Sequence, residues 1–137
     1  MKTFLAAKEQ IMLCNSVLDE EVAHHFLMYR NKWTPKIKAQ VLDNFHAVKE
    51  WMQPNEFLEW IIPHGGVVGF PRFKAAIDID IPKFYRGLEQ RSTLVGAGHW
   101  FGMDDRYFRI GYGWPDADEL RRGLHAITAS AHDALIS

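Results

Sequence analysis

Cysteine is almost missing from this chain. Cys14 stands alone among 137 residues, which excludes an internal disulfide framework and fits a reducing, cytoplasmic compartment. An excess of charge of either sign is missing as well. Lys and Arg total 16 against 17 for Asp and Glu, a net charge of −1, so no long-range field draws the chain to nucleic acid or to an anionic membrane. No apolar run approaches the ~18 residues of a membrane span. Met1 to Asn15 also carries Lys2, Lys8 and Glu9 where a secretory leader would be apolar. Repeats and low-complexity tracts are lacking too. What is present is 47% hydrophobic and 24% charged residues, a composition that folds rather than stays disordered. At ~100 to 200 residues per domain the chain is one domain. A domain near ~150 residues buries roughly 68–70% of its unfolded-chain surface, enough to need no metal or crosslink.

Start signals and apolar spacing mark the helices. Ser16-Val17-Leu18-Asp19 reads as a capping start with acids in the first turn. Leu18, Val22, Phe26 and Tyr29 then recur on one helical face, to about Arg30. A short basic turn, Arg30 to Trp33, is expected next. Thr34-Pro35 restarts a helix whose stripe is Ile37, Val41, Phe45, Val48 and Met52, ended by Gln53-Pro54-Asn55. Phe57 to Ile62 and Gly66 to Phe73 read as strands, separated by Gly65-Gly66. Asp80 caps a helix to about Gln90, in which Gly87 costs ~1 kcal/mol relative to alanine. Further strands are expected at Thr93 to Val95 and Arg106 to Tyr112. A last helix starts at Asp116 and carries Leu120, Leu124, Ile127, Ala131 and Leu135 on one stripe. The order ααββαββα predicts an α+β, two-layer sandwich: a small, mostly antiparallel sheet covered by helices.

Alternation along Arg106 to Tyr112 sends Phe108, Ile110 and Tyr112 to one face and Tyr107, Arg109 and Gly111 to the other. Arg109 then stands in mid-strand with a glycine leaving room beside it. Such a guanidinium suits bidentate capture of a carboxylate, and an ordinary solvent-facing arginine has the same pattern. Gly96-Ala97-Gly98-His99-Trp100-Phe101-Gly102 begins like a dinucleotide fingerprint, but its last glycine falls one residue late and a strand follows where a helix should. It reads instead as a glycine loop whose His99-Trp100 tip lines a pocket or covers the core. Adjacent His24 and His25 diverge by ~100° on a helix, and His125 and His132 stand two turns apart, so neither pair predicts a metal. Asp78-Ile79-Asp80 lacks the remainder of a calcium loop. No Gly-x-Ser-x-Gly elbow exists, and Cys14 has no histidine near it in sequence.

The order of landmarks carries more than any single one. These are Pro63-His64-Gly65-Gly66 entering a strand, a helix ending near Arg91, Leu94-Val95-Gly96-Ala97-Gly98-His99-Trp100-Phe101-Gly102, Phe108-Arg109-Ile110-Gly111-Tyr112, and an acidic-capped terminal helix. Together they resemble the C-terminal small domain of fold-type I pyridoxal-phosphate enzymes, the class I/II aminotransferases. The opening helices, with Leu18-Asp19-Glu20-Glu21, look like the segments leading into that domain. The resemblance implies a single domain over 1–137, with a leading helical segment at 1–53 and a sheet-and-helix core at 54–137. It also implies that Arg109 binds the α-carboxylate of amino acid and 2-oxo acid substrates.

The resemblance further implies pyridoxal phosphate as cofactor of the complete enzyme. The family's cofactor lysine lies in a Ser-x-x-Lys context, which none of Lys2, Lys8, Lys32, Lys36, Lys38, Lys49, Lys74 and Lys83 has. The expectation is therefore a portion of an aminotransferase that neither holds the cofactor covalently nor transaminates alone. The alternative is a stand-alone, non-catalytic domain that binds a small carboxylate or a protein. His99, Trp100 and Tyr112 hint at an aromatic entrance to the site. Self-association is expected through Met1 to Leu13, where Phe4, Leu5, Ile11 and Leu13 would lose a partner.

Overall fold

The computed structural model describes Phe4, Ala6, Ala7 and residues 16–136. The expected self-association segment, Met1 to Leu13, thus lies outside the described residues except for Phe4, Ala6 and Ala7, which are exposed. The chain divides into two compact units, Met1–Ile37 and Lys38–Ser137. Helix α1 (Val17–Met28) opens as its sequence requires, with the Ser16 hydroxyl accepting from the Asp19 amide. Its apolar stripe, Leu18, Val22, Phe26 and Tyr29, is exposed, and no α1 residue is buried.

Tyr29 alone separates α1 from helix α2 (Arg30–Met52). The expected basic turn is therefore helical, and Pro35 lies inside α2 rather than at its start. Proline has no N–H to donate, so α2 loses one bond of its ladder there. The Arg30 guanidinium donates to the Leu27 carbonyl at 2.9 Å and bridges the break before α2. From Lys38 onward α2 belongs to the second unit, where Asn44, Val48 and Met52 are buried.

The second unit is α+β with two layers. Strand β1 (Leu58–Glu59) pairs antiparallel with β3 (Arg72–Phe73). Strands β2 (Val68–Gly69), β5 (Phe108–Gly111) and β4 (Gly96–Ala97) form a second antiparallel sheet in the order β2-β5-β4. The single strand expected over Gly66 to Phe73 is thus two. Pro71 divides it, because without an N–H it cannot donate to a ladder; its carbonyl still accepts from the Phe108 amide at 3.0 Å. The strand expected at Thr93 to Val95 begins later, at Gly96. Helix α3 (Ile81–Gln90) consumes the intervening residues: the Ser92 and Thr93 amides donate to the Glu89 and Leu88 carbonyls, with Ser92 at φ 51°.

Helices α3 and α4 (Ala117–Asp133) begin where their caps lie. The Asp80 side chain accepts from the Lys83 amide, and Asp116 and Glu119 form a reciprocal capping box. Both helices cover one face of the sheet. Phe73, Phe84 and Phe108 meet with ring centroids 4.9 to 5.7 Å apart, joined by Val48, Leu88, Ile110, Leu124 and Ile127. Gly87 has a packing reason: a Cβ there would lie 3.1 Å from Ser130 Cβ, so the glycine sets how closely α3 approaches α4. Buried Asn44 donates to the Tyr112 and Pro115 carbonyls at 2.8 and 2.9 Å, and Trp51 Nε1 donates to Thr128 Oγ1 at 2.9 Å. Among the described residues no helix is long and apolar enough to cross a membrane.

Candidate functional site

Strand β5 alternates as its sequence does. Phe108, Ile110 and Tyr112 are buried against the helices, whereas Arg109 and Gly111 are exposed on the opposite face. The expected aromatic entrance therefore loses Tyr112, which is 1% exposed and belongs to the core. Arg109 has no ion-pair partner among the described residues.

Three neighbours shape the space around that guanidinium. Gly96 pairs with Arg109 across the ladder, and a Cβ at Gly96 would meet Phe101 Cε2 at 3.0 Å and Arg109 Cβ at 3.3 Å. A side chain at Gly96 would displace the Phe101 ring by a few tenths of an ångström, and with glycine there the ring lies against the strand, its centroid 4.8 Å from the Arg109 guanidinium. A ring so placed holds a cation by its quadrupole and leaves the outer donors open. Beyond Arg109, a Cβ at Gly111 would meet nothing within 4 Å.

The glycine loop is a folded support for Phe101. Gly98 to Phe101 form a 3-10 turn, and Gly102 closes it at φ 69°. A Cβ at Gly98 would fall 2.0 Å from the Asp104 carbonyl oxygen, so close backbone approach, not phosphate binding, requires this glycine. Asp105 Oδ1 accepts from the His99 amide at 3.0 Å and lies 2.6 Å from His99 Nδ1. The amide donor first, and the imidazole second, hold the Asp105 carboxyl below its ordinary value. The Tyr85 hydroxyl donates to the Asp105 and Tyr107 carbonyls. Burial, aided by the Asp105 charge, pushes that phenol up to about 12. At the tip, His99 is exposed, while Trp100 lines a cleft of 390 Å³ with Tyr85, Leu88 and Val95.

A larger cleft of 530 Å³ opens on Tyr107, which precedes Arg109 by two residues. Glu59, Trp60, Ile61, Phe70, Arg72 and Met103 complete its lining. Arg72 Nε donates to Glu59 at 2.6 Å and its Nη1 to the Tyr107 hydroxyl at 2.8 Å. Alternation placed Tyr107 beside Arg109. Phe101, Phe70 and the Glu59–Arg72 pair had no comparable signal, because separate loops and strands deliver them.

Neither cleft is lined by a lysine. Lys74 Nζ is committed to the Asn55 carbonyl at 2.9 Å, and Lys32 Nζ lies 5.3 Å from the Trp33 ring centroid. Among the described residues no cluster of three His, Cys, Asp or Glu side chains could hold a metal ion.

No family model matches the chain. Capreomycidine synthase from Streptomyces vinaceus is 39% identical over 97 residues, which cover 69% of this chain and 24% of that enzyme. A PLP-dependent aminotransferase from Streptococcus suis superposes on 97% of this chain with a TM-score of 0.80 at 20% identity, matching 35% of its own length. The PLP-dependent cyclase OrfR matches 93% of this chain and 35% of its own, with a TM-score of 0.74 and 26% identity. The fold is therefore one found within PLP-dependent enzymes, and a small domain of a PLP-dependent aminotransferase fits this chain. The chain spans about a third of the length of those solved structures and a quarter of the curated relative.

Proposed function

We propose that this chain is the C-terminal small domain of a fold-type I aminotransferase, an enzyme that exchanges an amino group between an amino acid and a 2-oxo acid. Arg109 binds the substrate's α-carboxylate. The observation that carries this reading is the guanidinium itself: exposed, seated over Phe101, flanked by Gly96 and Gly111, and without an ion-pair partner among the described residues. Its planar fork can make two parallel charge-assisted bonds to a carboxylate. Pyridoxal phosphate, which supplies the electron sink for transamination, is held by residues outside this chain, so the chain alone does not transaminate.

Two measurements test this. On titration with L-alanine, the Arg109 Nε–H resonance should shift saturably, and Arg109→Ala should weaken binding by about tenfold or more, since hydrogen bonds to charged groups contribute ~1.5–3 kcal/mol each. Arg109→Lys should rescue poorly, because it supplies charge without the fork. Incubation with pyridoxal phosphate followed by borohydride reduction should leave no stoichiometric adduct and no turnover. Unchanged alanine binding in Arg109→Ala overturns the carboxylate role; a single-lysine adduct with turnover overturns the division of labour.

One observation favours a second reading, a non-catalytic domain that binds a protein partner. Leu18, Val22, Phe26 and Tyr29 of the first unit form an apolar face exposed throughout.

A further inference from the structure

Arg109 and Tyr107 point from the same face of the β5 segment, about 6.8 Å apart at the usual rise per strand residue. A continuous series of rings joins them. Phe101 lies beneath Arg109, Phe70 meets Phe101 edge-on at 5.6 Å, and Phe70 stacks on Tyr107 at 5.7 Å and 23°. The 530 Å³ cleft is lined by Tyr107, Phe70 and Trp60 and not by Arg109 or Phe101, and its Phe70 wall touches the Phe101 ring over which Arg109 lies. Its volume falls within the range of small-molecule sites, which are apolar with a few placed polar groups.

The charges in the cleft decide what it takes. Arg72 and Glu59 pair at 2.6 Å and cancel. A ligand cation would have to compete with Arg72, whose guanidinium already lies 5.5 Å from the Tyr107 ring centroid. A ligand anion would meet Glu59, and Arg72 has spent Nε on that carboxylate and Nη1 on the Tyr107 hydroxyl. A neutral planar group meets neither obstacle and gains offset or edge contacts with three aromatic walls.

We infer that this cleft is the side-chain subsite of the same site, and that it selects amino acids and 2-oxo acids with a neutral aromatic side chain. The inference rests on the Arg109 reading for the placement of the carboxylate, but the cleft's affinity for a ring does not depend on it. Phe70, Trp60 and Tyr107 are the specificity-determining residues.

The test uses the chain as it is, with four probes followed at the Met103 methyl and the Trp60 indole N–H: L-phenylalanine, L-alanine, benzyl alcohol and benzylammonium. Phenylalanine should bind about tenfold or more tighter than alanine, the gain expected from burying a phenyl ring. Benzyl alcohol should shift the Met103 and Trp60 resonances, and benzylammonium should bind more weakly. Arg109→Ala should weaken phenylalanine and leave benzyl alcohol unaffected. Met103→Trp, at an exposed position on the cleft wall, should abolish the benzyl alcohol shift at the Trp60 indole N–H, with unchanged Phe84 and Phe108 ring signals showing that the core is folded. Absence of the benzyl alcohol shifts, or tighter binding of benzylammonium, overturns the aromatic subsite. Loss of only the Arg109→Ala effect overturns the carboxylate reading and leaves the ring-binding cleft standing.

Discussion

Helices α1 and α4 start alike and end differently. Each has a polar N-cap whose side chain accepts from an amide three residues on, acids in its first turn, and apolar residues at helical spacing. Yet α4 buries Leu120, Leu124, Ile127 and Ala131, whereas α1 buries nothing. Caps and periodicity say that a helix forms and which face is apolar. They do not say that a partner for that face exists in the same compact unit, and in water most helical stability comes from that partner.

The strongest way to break the comparison is to remove equivalent side chains from the two helices. Ile127→Ala, at a position 3% exposed, should lower the unfolding free energy by about 2–5 kcal/mol in urea denaturation, the usual range for truncating a buried aliphatic residue. Leu18→Ala, 73% exposed in α1, should change it by no more than about 0.5 kcal/mol. A comparable loss from both would show that the α1 stripe is covered in solution.

A smaller effect sharpens what close packing means for α4. Gly87→Ala gains about 1 kcal/mol of helix propensity in α3 but drives a methyl against Ser130 at 3.1 Å, and overpacking of this kind costs about 1–3 kcal/mol. The expected outcome is a net loss of about 1 kcal/mol, restored in part by Ser130→Gly in a double-mutant cycle. A gain in thermal stability from Gly87→Ala alone would mean that α3 and α4 are not held at this distance.

The least effect concerns acid, and it separates the buried unit's core from its surface loop. The Asp105 carboxyl is held below its ordinary value of 3.8 chiefly by the His99 amide. Its contribution to stability is therefore complete above that value and is lost as pH falls through the lower folded one. In an NMR titration the His99 amide should keep its folded shift through pH 4 and lose it only below, while the Phe84 and Phe108 ring signals stay unchanged. Loss of the His99 signature above pH 4 would contradict the hydrogen-bonded loop.

Much of this was legible without coordinates, for reasons that can be named. Helices α1 to α4, the caps at Ser16, Asp80 and Asp116, and the two faces of β5 follow from interactions over one to four residues, and the sequence states such interactions directly. The division of Gly66 to Phe73 into two strands turned on Pro71, and the late start of β4 turned on Ser92 and Thr93 closing α3. Both are local, yet they depend on which carbonyl each amide reaches.

The sequence by itself determined that the chain folds as α+β, that Phe108 and Ile110 face inward, and that Arg109 faces out with Tyr107 on its side. Only the tertiary structure decided that Gly96 yields its space to Phe101, that Gly98 serves a backbone crossing, and that Phe70, Trp60 and the Arg72–Glu59 pair meet Tyr107 to form one cleft. The physical reason is range: strand alternation acts between neighbours, whereas the cleft is assembled by segments as far apart as Glu59 and Tyr107, whose meeting depends on strand pairing and loop closure rather than on any periodic pattern.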